Sequence, residues 1–134
     1  SVKRLKSKLK ALFRRGRGKS LARTVEELNP ILRGWVNYYR LADVTGVFEE
    51  LDQWIRRRLR LLLWRQWKRP RTRFKRLRQR GLDYDRATRS AYNGFGPWWN
   101  SGASHMNQAV PTSAFARMGL VSLVQQHRRL ACNS

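Results

Sequence analysis

Acidic residues are scarce in this chain. Eight Asp and Glu face thirty Lys and Arg over 134 residues, which leaves a formal net charge of +22. Charge of this size speaks to partners and solubility, not to fold. Cysteine is scarcer still. Cys132 stands alone, so no internal disulfide is possible and a reducing compartment such as the cytoplasm is the default expectation. Long hydrophobic runs are missing too. The longest pure aliphatic run is Leu61 to Leu63, far too short to span a bilayer. Ser1 to Leu12 has no uninterrupted apolar stretch, so it is not expected to be a signal peptide. His105 and His127 have no Cys or carboxylate at ligand spacing, and neither a metal nor a cofactor is expected. No alternating pattern of useful length suggests a strand, and no internal repeat is visible.

Against these absences, 41% of the residues are hydrophobic and six are Trp, too apolar for a disordered basic tail. The length fits one domain, or a small domain with an appendage. Between Gln53 and Leu82 there are thirteen Lys or Arg residues and no Asp or Glu, with Trp64 and Trp67 set among them. Like charges at this density repel, so the counter-charge is expected from outside the chain. A polyanion supplies it continuously and releases condensed counterions on binding. Flat Trp and Arg groups also suit RNA, whose unpaired bases stack on them. A basic amphipathic helix can lie on an anionic membrane, but these tryptophans sit among the arginines instead of opposite them, so no membrane partner is expected.

The pattern along the chain is helical throughout, and the expected fold is all-α: a small bundle with a loop-rich helical C-terminal extension. Val2, Leu5, Leu9, Leu12 and Phe13 recur at helical spacing, with a basic loop around Gly16 and Gly18. Ser20 is a plausible N-cap for the next helix. Asn29-Pro30 reads as a cap followed by a first-turn proline, hence a kink or restart leading into Ile31 to Leu41. After a turn at Asp43 to Gly46, the longest periodic segment runs from Val47 to Lys68. Pro70 ends or bends it, a basic helix follows to Gly81, and Asp83 caps another through Tyr92. Asn93 to Gly102 is dense in turn formers and reads as an ordered loop. Short helices follow Thr112 and Leu120.

On a helical wheel, Leu51, Ile55, Leu59 and Leu62 share one arc, while Arg56, Arg57, Arg60, Trp64 and Trp67 share the opposite one. Arg57 and Arg60 are therefore expected to face solvent and to tolerate reversal to Glu without unfolding. The nucleic-acid contacts are assigned to Arg56, Arg57, Arg60, Arg65, Lys68, Arg69, Arg71, Arg73, Lys75 and Arg76. Trp64 and Trp67 either stack on bases or pack under the C-terminal segment, and the sequence allows both. A solvated helix face ordinarily mixes charge signs, which this run does not. The acidic group Asp43, Glu49, Glu50 and Asp52 reads as a complement to a helix N-terminus, not as acid/base machinery. No catalytic residue is assigned.

The string Leu28-Asn29-Pro30-Ile31-Leu32-Arg33-Gly34-Trp35-Val36-Asn37-Tyr38-Tyr39-Arg40 resembles the maturase-specific (X, or thumb) domain of group II intron-encoded reverse transcriptases. The resemblance continues through Phe48 to Asp52, Trp54 to Arg60, Trp64 to Thr72, Gly96 to Asn100, Ser104 to Asn107 and Gly119 to Leu123. It implies a helical thumb that grips intron RNA to promote folding and splicing and, in a full-length parent, positions template and primer. It also implies a following segment that contacts target DNA in intron mobility. By position, residues 1–69 correspond to the thumb and 70–134 to the DNA-binding extension. The paired-aspartate Tyr-x-Asp-Asp turn of the polymerase palm does not occur here, nor does the Cys/His pattern of the HNH nuclease. The expected partners are intron RNA and target DNA, with a separate polymerase half or a second copy as further candidates. Arg33 to Trp35 and Asn37 to Tyr39 are expected to serve helix packing.

Overall fold

A computed structural model describes residues 2–15 and 18–132; of the basic loop expected around Gly16 and Gly18, Gly16 lies outside the described residues. Among the described residues there are nine helices and no strand, which makes the chain all-α. No helix among them is long and apolar enough to cross a membrane. The chain forms two compact units: one from the described residues of Ser1–Arg56 and Ala116–Ser134, the other from Arg57–Phe115.

The first unit holds α1 (Val2–Arg15), α2 (Leu21–Tyr38), the start of α3 (Thr45–Gln66) and α9 (Leu123–Cys132). Helix α1 buries Leu5, Leu9, Leu12 and Phe13 at 3.6-residue spacing and leaves its lysines outward. Ser20 caps α2, its Oγ accepting from the Arg23 N–H at 3.2 Å. The restart expected at Asn29-Pro30 does not occur, because α2 runs through Pro30 unbroken. An interior proline costs about 3 kcal/mol. Leu28 and Leu32, both fully buried on either side of it, each return roughly 1.5–3 kcal/mol, so burial outweighs the lost hydrogen bond.

Asn29 is not a cap. Its Nδ2 donates to the Gly119 carbonyl at 2.9 Å, and its Oδ1 accepts from the Val121 N–H at 2.9 Å. The side chain thus holds the turn at Gly119, whose φ of +86° suits glycine. Asp52 acts in the same region. Its carboxylate accepts from the Leu123 N–H at 2.8 Å, the Val124 N–H at 3.2 Å and the Ser122 hydroxyl at 3.0 Å. The expected role of an acid at a helix N-terminus holds for Asp52, but the helix is α9 and not its own.

In the string from Arg33 to Tyr39, Val36 is buried while Trp35 and Tyr39 are half-buried and stacked, with centroids 5.4 Å apart. Tyr38 is 79% exposed. A Cβ built on Gly34 would meet nothing within 4 Å, so this glycine serves no close helix approach. The string therefore packs through Val36 and only in part through its aromatics.

The second unit holds the remainder of α3, then α4 (Pro70–Gln79), α5 (Tyr84–Ala91), α6 (Pro97–Ser101), α7 (Ser104–Ala109) and most of α8 (Thr112–Arg117). Helix α3 ends at Gln66, and Pro70 opens α4 at its first position, where a missing N–H costs nothing. Gly81, with φ of +101°, ends that helix by a left-handed turn. Asp83 caps α5, accepting from the Arg86 N–H at 2.8 Å. The stretch expected as a loop from Asn93 to Gly102 contains the single turn α6. Its order comes from Asn100, which is 1% exposed. The Asn100 amide donates to the Phe95 and Gly96 carbonyls at 3.1 and 2.9 Å.

Candidate nucleic-acid interface

From Leu59 to Trp64 every residue of α3 is buried, so the helix has no solvent face there. Arg60 is 7% exposed, Trp64 2% and Trp67 5%. The arc opposite the leucines is covered by the chain between Pro97 and Phe115. Trp64 lies against His105 at 5.4 Å and Trp67 at 6.4 Å between ring centroids. Of the two readings open for these tryptophans, internal packing is the one observed. The expectation that Arg57 and Arg60 face solvent is likewise corrected. Wheel symmetry separates polar from apolar residues but cannot show that a later segment folds over the polar side.

The arginines of the acid-free run find internal partners of an unexpected kind. Arg57 Nη2 donates to the Trp98 carbonyl at 2.8 Å, and its Nε to Ser101 Oγ at 3.3 Å. Arg60 Nε donates to the Val110 carbonyl at 2.8 Å. Arg73 reaches the Trp64 carbonyl at 3.3 Å through both Nε and Nη2. Arg78 donates to the Leu82 carbonyl at 3.1 Å, and Arg80 to the Ala109 carbonyl at 3.4 Å. The Trp64, Ala109 and Val110 carbonyls stand at or just past helix C-termini, where backbone oxygens lack intrahelical donors and the dipole is negative.

Aromatic faces complete these sites. The Arg57 guanidinium sits 3.8 Å from the Trp98 ring centroid, Arg73 4.5 Å from Trp64, Arg60 5.4 Å from Phe115 and Arg80 5.8 Å from Trp67. Each distance is within the range of cation–π attraction. Burial lowers the pKa of Arg73 and Arg80, the latter with help from neighbouring Arg76. Arginine stays charged regardless.

The assigned residues thus fall into two groups. Arg57, Arg60, Arg73, Trp64 and Trp67 are internal supports, and Arg56 is half-buried. Arg65, Lys68, Arg69, Arg71, Lys75 and Arg76 are exposed. On α4, Leu77 marks the inner face, which Pro70, Arg73 and Phe74 share. Arg71, Lys75 and Arg78 then fall on the outward side. Sequence reasoning overlooked Arg78 and Arg80 within the run, as well as Trp98, Ser101 and Gly102, which hold Arg57. A Cβ on Gly102 would stand 2.7 Å from the Arg57 guanidinium carbon. Nothing in the spacing of Gly102 announces that role, since its partner lies far away in sequence.

His105 is buried beside these groups. Its Nε2 lies 3.0 Å from Asn100 Oδ1, an acceptor because Asn100 Nδ2 is spent on carbonyls, so Nε2 carries the proton. Burial, and secondarily the charge of Arg86, hold the imidazole below its ordinary value of 6.5.

A helical unit with a cationic surface braced from within is what the fold and these contacts define. Residues 2–81 match the model of the group II intron maturase-specific domain, and the chain belongs to that family. The match covers α1 through α4 and ends at Gly81, two residues past α4. No curated protein matches the chain. Family membership ties its role to group II introns and their maturases.

Proposed function

We propose that the chain binds group II intron RNA to assist its folding and splicing, and that within a full-length reverse transcriptase it also positions template and primer. The observation that carries this reading is the set of six exposed cations, Arg65, Lys68, Arg69, Arg71, Lys75 and Arg76, in a stretch without carboxylates. An RNA backbone supplies the missing anions. The arginines with internal partners act behind this surface by fixing helices α3 and α4, so the exposed cations are presented without large ordering losses. Recognition is by charge and shape, as expected for folded RNA.

Salt titration tests the reading. If all six cations meet phosphates, log affinity for intron RNA falls with log salt at a slope near about −4. The double replacement Arg71→Gln with Lys75→Gln lowers that slope by roughly 1.4. A slope indifferent to both changes overturns the proposal.

The chain continues well beyond the family match, and its exposed Arg89 and Arg117 lie in that remainder. This favours a second role for the part of the expected extension beyond the match, residues 82–134: contact with target DNA, while Arg71, Lys75 and Arg76 serve the RNA surface. Truncation after Pro70 is a poor test, because Asn29 and Asp52 hold residues 119–124 and the first unit would lose α9. Replacing Arg89 and Arg117 by Gln is the better one. Loss of duplex-DNA affinity with intron-RNA affinity retained is the expected result.

A further inference from the structure

The first unit carries an open groove of about 530 Å³ between α1 and α2, which the expected basic patch does not include. Its volume falls in the range of small-ligand sites. Arg4 and Lys8 line one side, one helical turn apart on α1. Trp35, Tyr38 and Tyr39 line the other. Trp35 and Tyr39 stack at an interplanar angle of 27°, and Tyr38 stands edge-on to Tyr39 at 4.7 Å. Gly34 contributes no side chain to the floor, and the space above it is open.

We propose that this groove binds an unpaired nucleotide of RNA. The inference deepens the RNA-binding reading and rests on it. Two cations one turn apart suit a phosphate, and the aromatic side offers ring faces for a base. An apolar peptide would bring no anion to Arg4 and Lys8, and an acidic peptide would make no use of three aromatic rings. A base inside a duplex cannot turn its face to Tyr38, so the groove discriminates in favour of single strands. Tyr38 carries this discrimination because it is the most exposed ring, and Lys8 supplies phosphate attraction.

Binding of a short single-stranded oligoribonucleotide and of an RNA duplex of equal length tests the assignment, using the full chain. Tyr38 is so exposed that Tyr38→Ala should leave the fold intact, which circular dichroism checks. The expected result is a loss of about five-fold or more on the single strand and less than two-fold on the duplex. Lys8→Gln should weaken the single strand and flatten its salt dependence. Arg71→Gln with Lys75→Gln, in the other unit, should weaken both ligands. If that pair weakens RNA but Tyr38→Ala changes neither ligand, or both equally, the groove is not the site while the general RNA reading stands. If the unaltered chain binds neither RNA, both fall. A deoxy strand of the same sequence that binds as tightly and loses as much with Tyr38→Ala would overturn the assignment to RNA.

Discussion

The guanidinium of Arg57 sits over the indole of Trp98, 3.8 Å from the ring centroid, while Nη2 of the same group donates to the Trp98 backbone carbonyl at 2.8 Å. One residue of α6 therefore meets one arginine through both its ring and its backbone carbonyl. Gly102 leaves the space that this posture needs. Gly102→Ala should push the guanidinium off its partners and cost about 1 kcal/mol, the scale of one hydrogen bond or cation–π contact. The Arg57→Ala background should erase most of that cost. Chemical denaturation of the two single variants and the double variant measures the coupling.

Arg60 is the more severe position. Reversal to Glu places a carboxylate in a site 7% exposed and leaves the Val110 carbonyl without its donor. The expected loss is about 3 kcal/mol or more. Arg60→Met keeps the volume and loses the hydrogen bond to Val110 and the cation–π contact with Phe115, at about 2 kcal/mol. Thermal melts should rank the unaltered chain above Met and Met above Glu. A melt of Arg60→Glu matching the unaltered chain would mean that the side chain escapes to solvent.

Asp52→Ala should loosen α9 without touching the second unit. Three donors lose their acceptor, and loss of a helix cap costs about 1–2 kcal/mol. Amide hydrogen exchange should rise first at residues 123 to 127, and Asp52→Asn should recover part of the protection.

His105 predicts an acid-side weakening. Its folded-state pKa lies below the ordinary 6.5, so the unfolded chain binds the proton more readily. The stabilisation from the neutral ring is complete above about pH 6.5 and is lost as pH falls through the lower folded value. Melting temperature should therefore drop between pH 7 and pH 5. His105→Gln, which can still donate to Asn100, should flatten that drop.

Much of this architecture is legible in the sequence. Leu5, Leu9, Leu12, Ser20, Gly81 and Asp83 all sit where local rules put them, because spacing, caps and left-handed turns depend on near neighbours. Asn29-Pro30 misleads for a physical reason: a cap signal is worth about 1 kcal/mol, less than the burial of Leu28 and Leu32 that keeps α2 continuous. Arg57, Arg60, Trp64 and Trp67 mislead differently. Arg57, Arg60 and Trp64 meet residues between Trp98 and Phe115, and Trp67 meets Trp64 and Arg80; no periodicity within α3 reports what a later segment will cover. The exposed cations from Arg65 to Arg76 were readable as charge. Their internal bracing was not, since its acceptors are backbone oxygens that every residue possesses.

That choice of acceptor has a kinetic consequence. A carboxylate would both position an arginine and cancel its charge, whereas a carbonyl positions it and leaves the full unit of charge in place. Arg57, Arg60, Arg73, Arg78 and Arg80 therefore still contribute to the field felt by an approaching polyanion, although some of them never touch it. Such fields raise encounter rates by ten-fold or more at low ionic strength. The struts of the second unit thus add to the long-range pull on any polyanion that approaches it, before a single contact forms.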